Sequence, residues 1–172
     1  MRALHLLGVA ALLASATVWS AAPTLLEALE ANDRGTALEL LRGGADATQL
    51  GPDGTTTLMW AAYHGDVELA RRLIDAGADV NARNEFGASA LLEAARLGSA
   101  PLLEALLAAG ADVGSVNPEG DTPLMLVART GKLDAARVLI EAGADANARE
   151  GWGAQTALMW AAGQSQPDMV AF

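Results

Sequence analysis

Residues 120–148 read GDTPLMLVARTGKLDAARVLIEAGADANA, and the elements of this segment recur along the chain. The tripeptide Gly-Ala-Asp occurs at a constant interval of 33 residues, beginning at Gly44, Gly77, Gly110 and Gly143. A second pattern repeats at the same interval. It consists of a Gly, a Thr or Ser two residues after the Gly, and a Leu two residues after the Thr or Ser, and it begins at Gly54, Gly87 and Gly120. Self-similarity at a fixed interval of this length is typical of a stacked repeat array.

One unit of the series, residues 54–81, predicts a pair of short helices. Thr56 is placed to cap a first helix from Thr57 to about His64, with its apolar residues on one face. Asp66 begins a second helix, which Gly77 ends. Neither helix is long enough to be stable alone in water. Each helix must therefore bury its apolar side against the neighbouring unit.

The pattern G-x-T-P-L-x-x-A-A-x-x-G, followed by L-L-x-x-G-A-D-x-N-A, resembles the ankyrin repeat, and residues 120–124 and 139–148 match it closely. The resemblance covers nearly all of residues 24–172. It implies an all-α solenoid of ankyrin repeats, with helix-turn-helix pairs and β-hairpin fingers on one side. We expect about four and a half repeats, at about 24–50, 51–83, 84–116, 117–149 and an incomplete 150–172.

Two departures from the family pattern stand out. The family usually has a His after Pro-Leu that helps tie adjacent repeats, whereas this chain has only apolar residues there: Met59, Leu92, Met125 and Met159. Apolar packing must replace that tie. Leu158 lies 34 residues after Leu124, so the finger of the fifth repeat carries one extra residue near Trp152. The longer finger is either a harmless loop insertion or a binding feature.

Residues 1–22, MRALHLLGVAALLASATVWSAA, have the three parts of a secretory signal peptide: basic Arg2, an apolar run from Leu6 to about Val18, and small residues. The run is short for a membrane span, which needs roughly 20 apolar residues. An uncleaved anchor or a misassigned start codon is the alternative. We expect a bacterial protein of the periplasm or the medium, with no membrane contact after cleavage and with residues 23–172 as its repeat domain.

The charge and composition argue against several classes of function. The chain has 11 Lys and Arg against 21 Asp and Glu, a net charge of −10, and no basic cluster stands out. Such a surface repels phosphate backbones, so we do not expect nucleic-acid binding. The absence of cysteine excludes disulfides, thiolate catalysis and Cys-based zinc sites. No phosphate-binding loop is present, and we expect no cofactor.

No residue pattern indicates catalysis or a metal site. His64 is the one histidine beyond residue 22, and no nucleophile motif accompanies it, so we interpret it as a surface residue. Aspartates recur with the repeat at Asp46, Asp79, Asp112 and Asp145. In stacked repeats they would lie about 10 Å apart, too far to share one ion. Capping of turns explains them.

The resemblance implies a binding surface, because ankyrin proteins generally use finger tips and the concave face of the first helices. Carried onto this chain, it predicts partner-binding residues at Asp53, Tyr63, His64, Arg83, Glu85, Phe86, Arg96, Glu119, Asp121, Arg129, Arg149, Trp152 and Gln155. Aromatic residues and arginines are enriched at interface hot spots. The alternative is that exposed finger residues drift freely and contact nothing.

These observations predict a monomeric, non-catalytic protein-interaction module that binds an unidentified partner protein. The alternative is the recruiting half of a larger enzyme or envelope protein, truncated after residue 172; a third possibility is a structural spacer. The chain stops at Phe172, before the last repeat reaches any Leu-Leu and Gly-Ala-Asp, and Met159, Trp160, Met169 and Phe172 would leave apolar surface exposed. A polar capping repeat is expected at such an end. We therefore expect a fragment of a longer array, with natural termination as the alternative.

Overall fold

The computed structural model describes residues 22–172, which form ten helices in two layers. The helices are α1 Leu25–Glu30, α2 Arg34–Arg42, α3 Thr57–Tyr63, α4 Val67–Asp75, α5 Ala90–Leu97, α6 Ala100–Ala108, α7 Pro123–Thr130, α8 Leu133–Glu141, α9 Ala157–Gly163 and α10 Pro167–Ala171. The odd-numbered helices contact one another in succession and form an inner layer. The even-numbered helices α2, α4, α6 and α8 contact one another in the same way and form an outer layer. The predicted all-α solenoid of helix pairs is confirmed. The predicted signal peptide lies almost wholly in residues 1–21, outside the described residues.

Side chains at the predicted positions cap the helices. The Thr56 hydroxyl accepts a hydrogen bond from the Met59 amide at 3.0 Å, and the Asp66 carboxylate accepts one from the Leu69 amide at 3.0 Å. A cap of this kind stabilises a helix by about 1 kcal/mol. That is too little for helices of nine residues or fewer to be stable alone. Packing between repeats must therefore provide most of the stability.

The core lies between the two layers and consists mainly of Leu and Ala. Met59, Leu92 and Met125, which stand where the family usually has His, are buried between inner helices, so apolar packing does replace the polar tie. Met159 is 52% exposed, because α9 contacts only α7 in the inner layer. Small Ala side chains in this core let the helices approach closely.

Polar contacts join the degenerate first repeat to the second. The buried Thr57 hydroxyl donates to the Ala47 carbonyl at 2.5 Å, and His64 Nε2 lies 3.1 Å from the Leu29 carbonyl oxygen. On the outer layer, Arg34 pairs with Asp66, at 2.6 Å, and also with Glu68. Hydrogen bonds to those two carboxylates raise the pKa of Arg34 above its usual range.

The periodic aspartates cap turns, as predicted. Each Oδ1 accepts a hydrogen bond from the backbone amide two residues later, at 2.8–3.0 Å, in Asp46, Asp79, Asp112 and Asp145. Asn81 also connects two repeats, because its side chain donates to the Gly110 carbonyl and accepts from the Asp112 amide, both at 2.9 Å. These bonds hold the loops of neighbouring repeats in a fixed register.

Within residues 22–172, no helix has the length and apolar character that a membrane crossing requires.

Candidate protein-binding surface

Four loops, which we call fingers 1 to 4, precede the inner helices α3, α5, α7 and α9; they are residues 51–55, 84–88, 117–121 and 150–155. In each finger the backbone amide of the first residue donates to the carbonyl of the last, at 2.8–3.2 Å. The closing bond of finger 4 spans one residue more than the others, which confirms the predicted insertion. The fingers are tighter than the β-hairpins that the resemblance implies: in residues 22–172 the only bridge pairs Leu50 with Thr56.

Neighbouring fingers are joined through one repeating position. The amide of Glu85 in finger 2 donates to the Asp53 carbonyl in finger 1, and the amide of Gly151 in finger 4 donates to the Glu119 carbonyl in finger 3, both at 2.9 Å. The equivalent residue of finger 3 is Pro118, which has no amide proton. Its ring instead packs so closely on Gly87 that a Cβ atom there would lie 2.7 Å from the proline Cδ. The fingers thus form a continuous stacked edge.

Finger 4 is organised around a single buried carboxylate. The Glu150 side chain accepts backbone hydrogen bonds from Trp152 at 2.6 Å, Gly153 at 2.8 Å and Gln155 at 3.0 Å. The same three bonds lower the pKa of Glu150, the bond from Gln155 most. Arg149 fixes the loop further by donating to the Ala154 carbonyl at 2.8 Å. The backbone is held while the Trp152 side chain remains 87% exposed.

The sequence prediction did not identify Glu150 as a functional residue, although a signal was present. Fingers 2 and 3 begin with Asn84 and Asn117, whose Oδ1 atoms accept backbone bonds from Ala88 at 2.9 Å and from Asp121 at 2.7 Å. Finger 4 is one residue longer and begins with Glu, whose side chain is one carbon longer than that of Asn. The longer acceptor therefore matches the longer loop.

Most of the predicted contact residues are exposed to solvent. Tyr63, Arg83, Glu85, Phe86, Arg96, Glu119, Arg129, Arg149, Trp152 and Gln155 are exposed, and Asp53 and His64 are half-buried. The two half-buried residues have structural contacts: Asp53 accepts two hydrogen bonds from Thr55, which lower the pKa of Asp53, and His64 stacks on Trp60 at 5.9 Å between centroids.

Asp121 does not lie where the prediction placed it. It is 8% exposed, and its carboxylate accepts a hydrogen bond from the Asn117 side-chain amide at 2.9 Å. Its own backbone amide donates back to Asn117. A buried carboxylate needs such partners, because an unpaired one is costly to remove from water. Asp121 therefore shapes finger 3 from within and presents no side chain to a partner.

The exposed face of the inner helices carries aromatic and cationic groups. On α3, Tyr63 is 58% exposed and meets the Trp60 ring edge-on at 5.8 Å. On α7, the Arg129 guanidinium lies 5.2 Å from the centre of the Trp160 ring of α9. Trp60 and Trp160, at equivalent positions of their helices, are both half-buried. The sequence did not predict the contact between Arg129 and Trp160, which joins two repeats.

The arrangement favours recognition of another molecule by shape, apolar contact and charge. Within the described residues, no three His, Asp or Glu side chains are grouped so that they could hold a metal ion. The carboxylates with lowered pKa at Asp33, Asp46 and Asp53 accept hydrogen bonds inside their own turns, as Glu150 does in finger 4. These groups stabilise loops.

Comparison with known proteins agrees with the geometry. Residues 25–117 and 91–172 match the sequence model of the family described as ankyrin repeats (3 copies), so the matches together cover most of the chain. No curated protein matches the chain. Ankyrin repeats are generally protein–protein interaction modules and are typically non-catalytic. With its stacked helix pairs, its fingers and this match, the chain belongs to the ankyrin-repeat family.

Proposed function

We propose that this chain is a non-catalytic module that binds a partner protein through its finger tips and the concave face of its inner helices. The observation that carries the proposal is Trp152, whose side chain is 87% exposed on a loop that Glu150 holds in place. A large aromatic side chain that is already positioned loses little conformational entropy when a partner covers it. Such side chains dominate the binding energy of many interfaces.

Phe86 supports the same proposal from a second finger. It is 69% exposed, and its backbone amide is held by the Asn84 side chain at 3.1 Å. Because the fingers stack through backbone and proline contacts, Phe86 and Trp152 stand on one continuous edge of the solenoid. Because the two aromatic side chains lie on one edge, a single partner surface could cover both of them.

We further propose that this binding takes place in the bacterial periplasm or outside the cell, with the chain acting as a monomer. The support is the signal-peptide pattern of residues 1–22 and the absence of cysteine, which is compatible with an oxidising compartment. A periplasmic extract is therefore the appropriate source in which to look for the partner.

The test combines Phe86→Ala with Trp152→Ala and measures affinity for the partner that the unmodified protein retains from a periplasmic extract. We expect a loss of about 2 kcal/mol or more, close to thirtyfold in Kd, with an unchanged far-ultraviolet circular dichroism spectrum. Ile140→Ala is the matched control, since Ile140 is 38% exposed on the outer helix α8, away from the fingers. Equal affinity of the double variant and the unmodified protein would exclude this surface.

A further inference from the structure

We propose that the concave groove across α5, α7 and α9 binds an extended acidic segment of the partner protein, with Arg96 and Arg129 as its carboxylate receptors. This inference rests on the proposed function and names the chemistry of the partner. It follows from the shape of the groove, the state of the two arginines and the absence of Asp and Glu from the lining of its two depressions.

The groove consists of two adjoining depressions on the inner helices. The first has a volume of about 300 Å³ and is lined by Arg129, Gln155, Met159, Trp160, Gly163 and Gln164. The second has a volume of about 360 Å³ and is lined by Arg96, Leu126, Arg129, Thr130 and Gln164. Since Arg129 and Gln164 line both, the depressions form one path that crosses the helices. Gln155 belongs to finger 4, so the path begins at the base of the loop that carries Trp152.

Arg129 is held in place without a carboxylate partner. Its guanidinium lies 5.2 Å from the centre of the Trp160 ring, and among the described residues it has no Asp or Glu oxygen within 4.0 Å. The aromatic contact restricts the side chain and leaves the edge of the guanidinium with its N–H groups unused. That planar set of donors fits a carboxylate in two parallel hydrogen bonds.

Arg96 is paired only loosely, with Glu93 one helical turn earlier. Its Nε lies 3.7 Å from Glu93 Oε1, beyond a normal hydrogen bond, and its side chain is 53% exposed against 18% for Glu93. Neither depression has an Asp or Glu in its lining. This is a local exception in a chain with 21 acidic and 11 basic residues. At physiological ionic strength charges are screened over about 8 Å, so a direct contact with the arginines outweighs repulsion from distant acids.

The groove also specifies the form of the segment. Arg96 and Arg129 occupy equivalent positions in successive inner helices, which pack about 10 Å apart. A polyproline II segment rises about 3.1 Å per residue and repeats its face every third residue, so carboxylates at i and i+3 would match that spacing. Beyond Arg129, on α9, a further apolar side chain of the segment would meet Met159, which is 52% exposed, and the half-buried Trp160. Gln155 and Gln164 supply amide groups for the segment's backbone.

The test uses a fluorescein-labelled, proline-rich peptide with two Glu residues three positions apart and a Leu three positions beyond one of them, and measures binding by anisotropy. We expect Arg129→Gln and Arg96→Gln each to weaken binding roughly tenfold, the size of one charge-assisted contact. Arg71→Gln should leave binding unchanged, because Arg71 is exposed on the outer helix α4. A peptide with Gln in place of both Glu should bind at least tenfold more weakly, and added salt should raise Kd.

Two results would overturn the inference: equal peptide binding by Arg129→Gln and the unmodified protein, or equally tight binding of single-stranded DNA, which would indicate a non-selective anion surface. Circular dichroism of each variant excludes unfolding as the cause of a loss. If the natural partner depends on Phe86 and Trp152 but the acidic peptide does not bind, the inference fails while the proposed function stands. If the acidic peptide binds through the arginines but the affinity of the natural partner does not depend on Phe86 and Trp152, the inference stands and the fingers are excluded as the binding surface.

Discussion

The stacking of the fingers can be tested with one added methyl group. Gly120 in finger 3 has φ of +88°, and a Cβ atom there would lie 2.9 Å from the backbone nitrogen of Gly151 in finger 4. That nitrogen donates to the Glu119 carbonyl at 2.9 Å. Gly120→Ala must therefore strain its own backbone and also separate the two fingers. Gly110→Ala is the matched control, since Gly110 has φ of +92° but no atom within 4 Å of the added Cβ.

The two substitutions share one cost and differ in another. A non-glycine residue in the left-handed region costs about 1–2 kcal/mol, partly offset by a stiffer unfolded chain. We therefore expect Gly110→Ala to lower the free energy of unfolding by about 1 kcal/mol. Gly120→Ala should lower it by about 2–3 kcal/mol, because the contact between the fingers opens and a backbone hydrogen bond contributes about 1 kcal/mol.

Urea denaturation followed by circular dichroism measures both variants against the unmodified protein. The difference between them, about 1–2 kcal/mol, corresponds to roughly 4 °C in Tm for a domain of this size. An equal loss in the two variants would refute the reasoning, since backbone strain alone would then account for Gly120→Ala. A smaller loss in Gly120→Ala than in Gly110→Ala would refute it as well.

Two further predictions concern buried polar groups. Thr57→Val keeps the shape of the side chain but removes the hydrogen bond to the Ala47 carbonyl. We therefore expect the free energy of unfolding, measured by urea denaturation, to fall by about 1–2 kcal/mol. An unchanged midpoint would show that this hydrogen bond contributes nothing to stability. The pKa of Glu150 is lowered below its ordinary value of 4.5, so its carboxylate stabilises finger 4 above that pH and loses this effect as the pH falls through the folded pKa. The amide NMR signals of Trp152 and Gly153 should then shift together with a midpoint below 4.5, and should not titrate in Glu150→Gln; a midpoint at or above 4.5 would contradict the bonding scheme.

The fold was predictable because its stabilising pattern is local and repeated. Capping residues such as Thr56 and Asp66, and the apolar stripe of each short helix, act within one repeat, so the sequence shows them directly. Stacking follows because an exposed apolar stripe on a short helix must be covered. The fingers were predicted less well: their position was right, but the loops are tight turns with one isolated bridge in the described residues.

The exposure of the finger residues was predictable from their position in the repeat, whereas their side-chain contacts were less so. Phe86 and Trp152 are exposed, as finger residues should be. Asp121 shares the finger position but is buried, because its hydrogen bonds with Asn117 turn it inward. The position of a residue within the repeat predicts only which side of the loop the residue lies on. It does not say whether a polar side chain bonds to its own loop or faces solvent.

The periodic features can be read from the amino-acid order alone: the interval of 33 residues, the helix pairs, the caps and the extra residue in finger 4. These depend on short-range rules that hold within one repeat. Only the tertiary structure decided which groups meet across repeats, such as Arg129 on Trp160 and Gly151 on Glu119. The physical reason is that such contacts depend on how far and at what angle successive helix pairs are offset, and packing of the whole stack sets that offset.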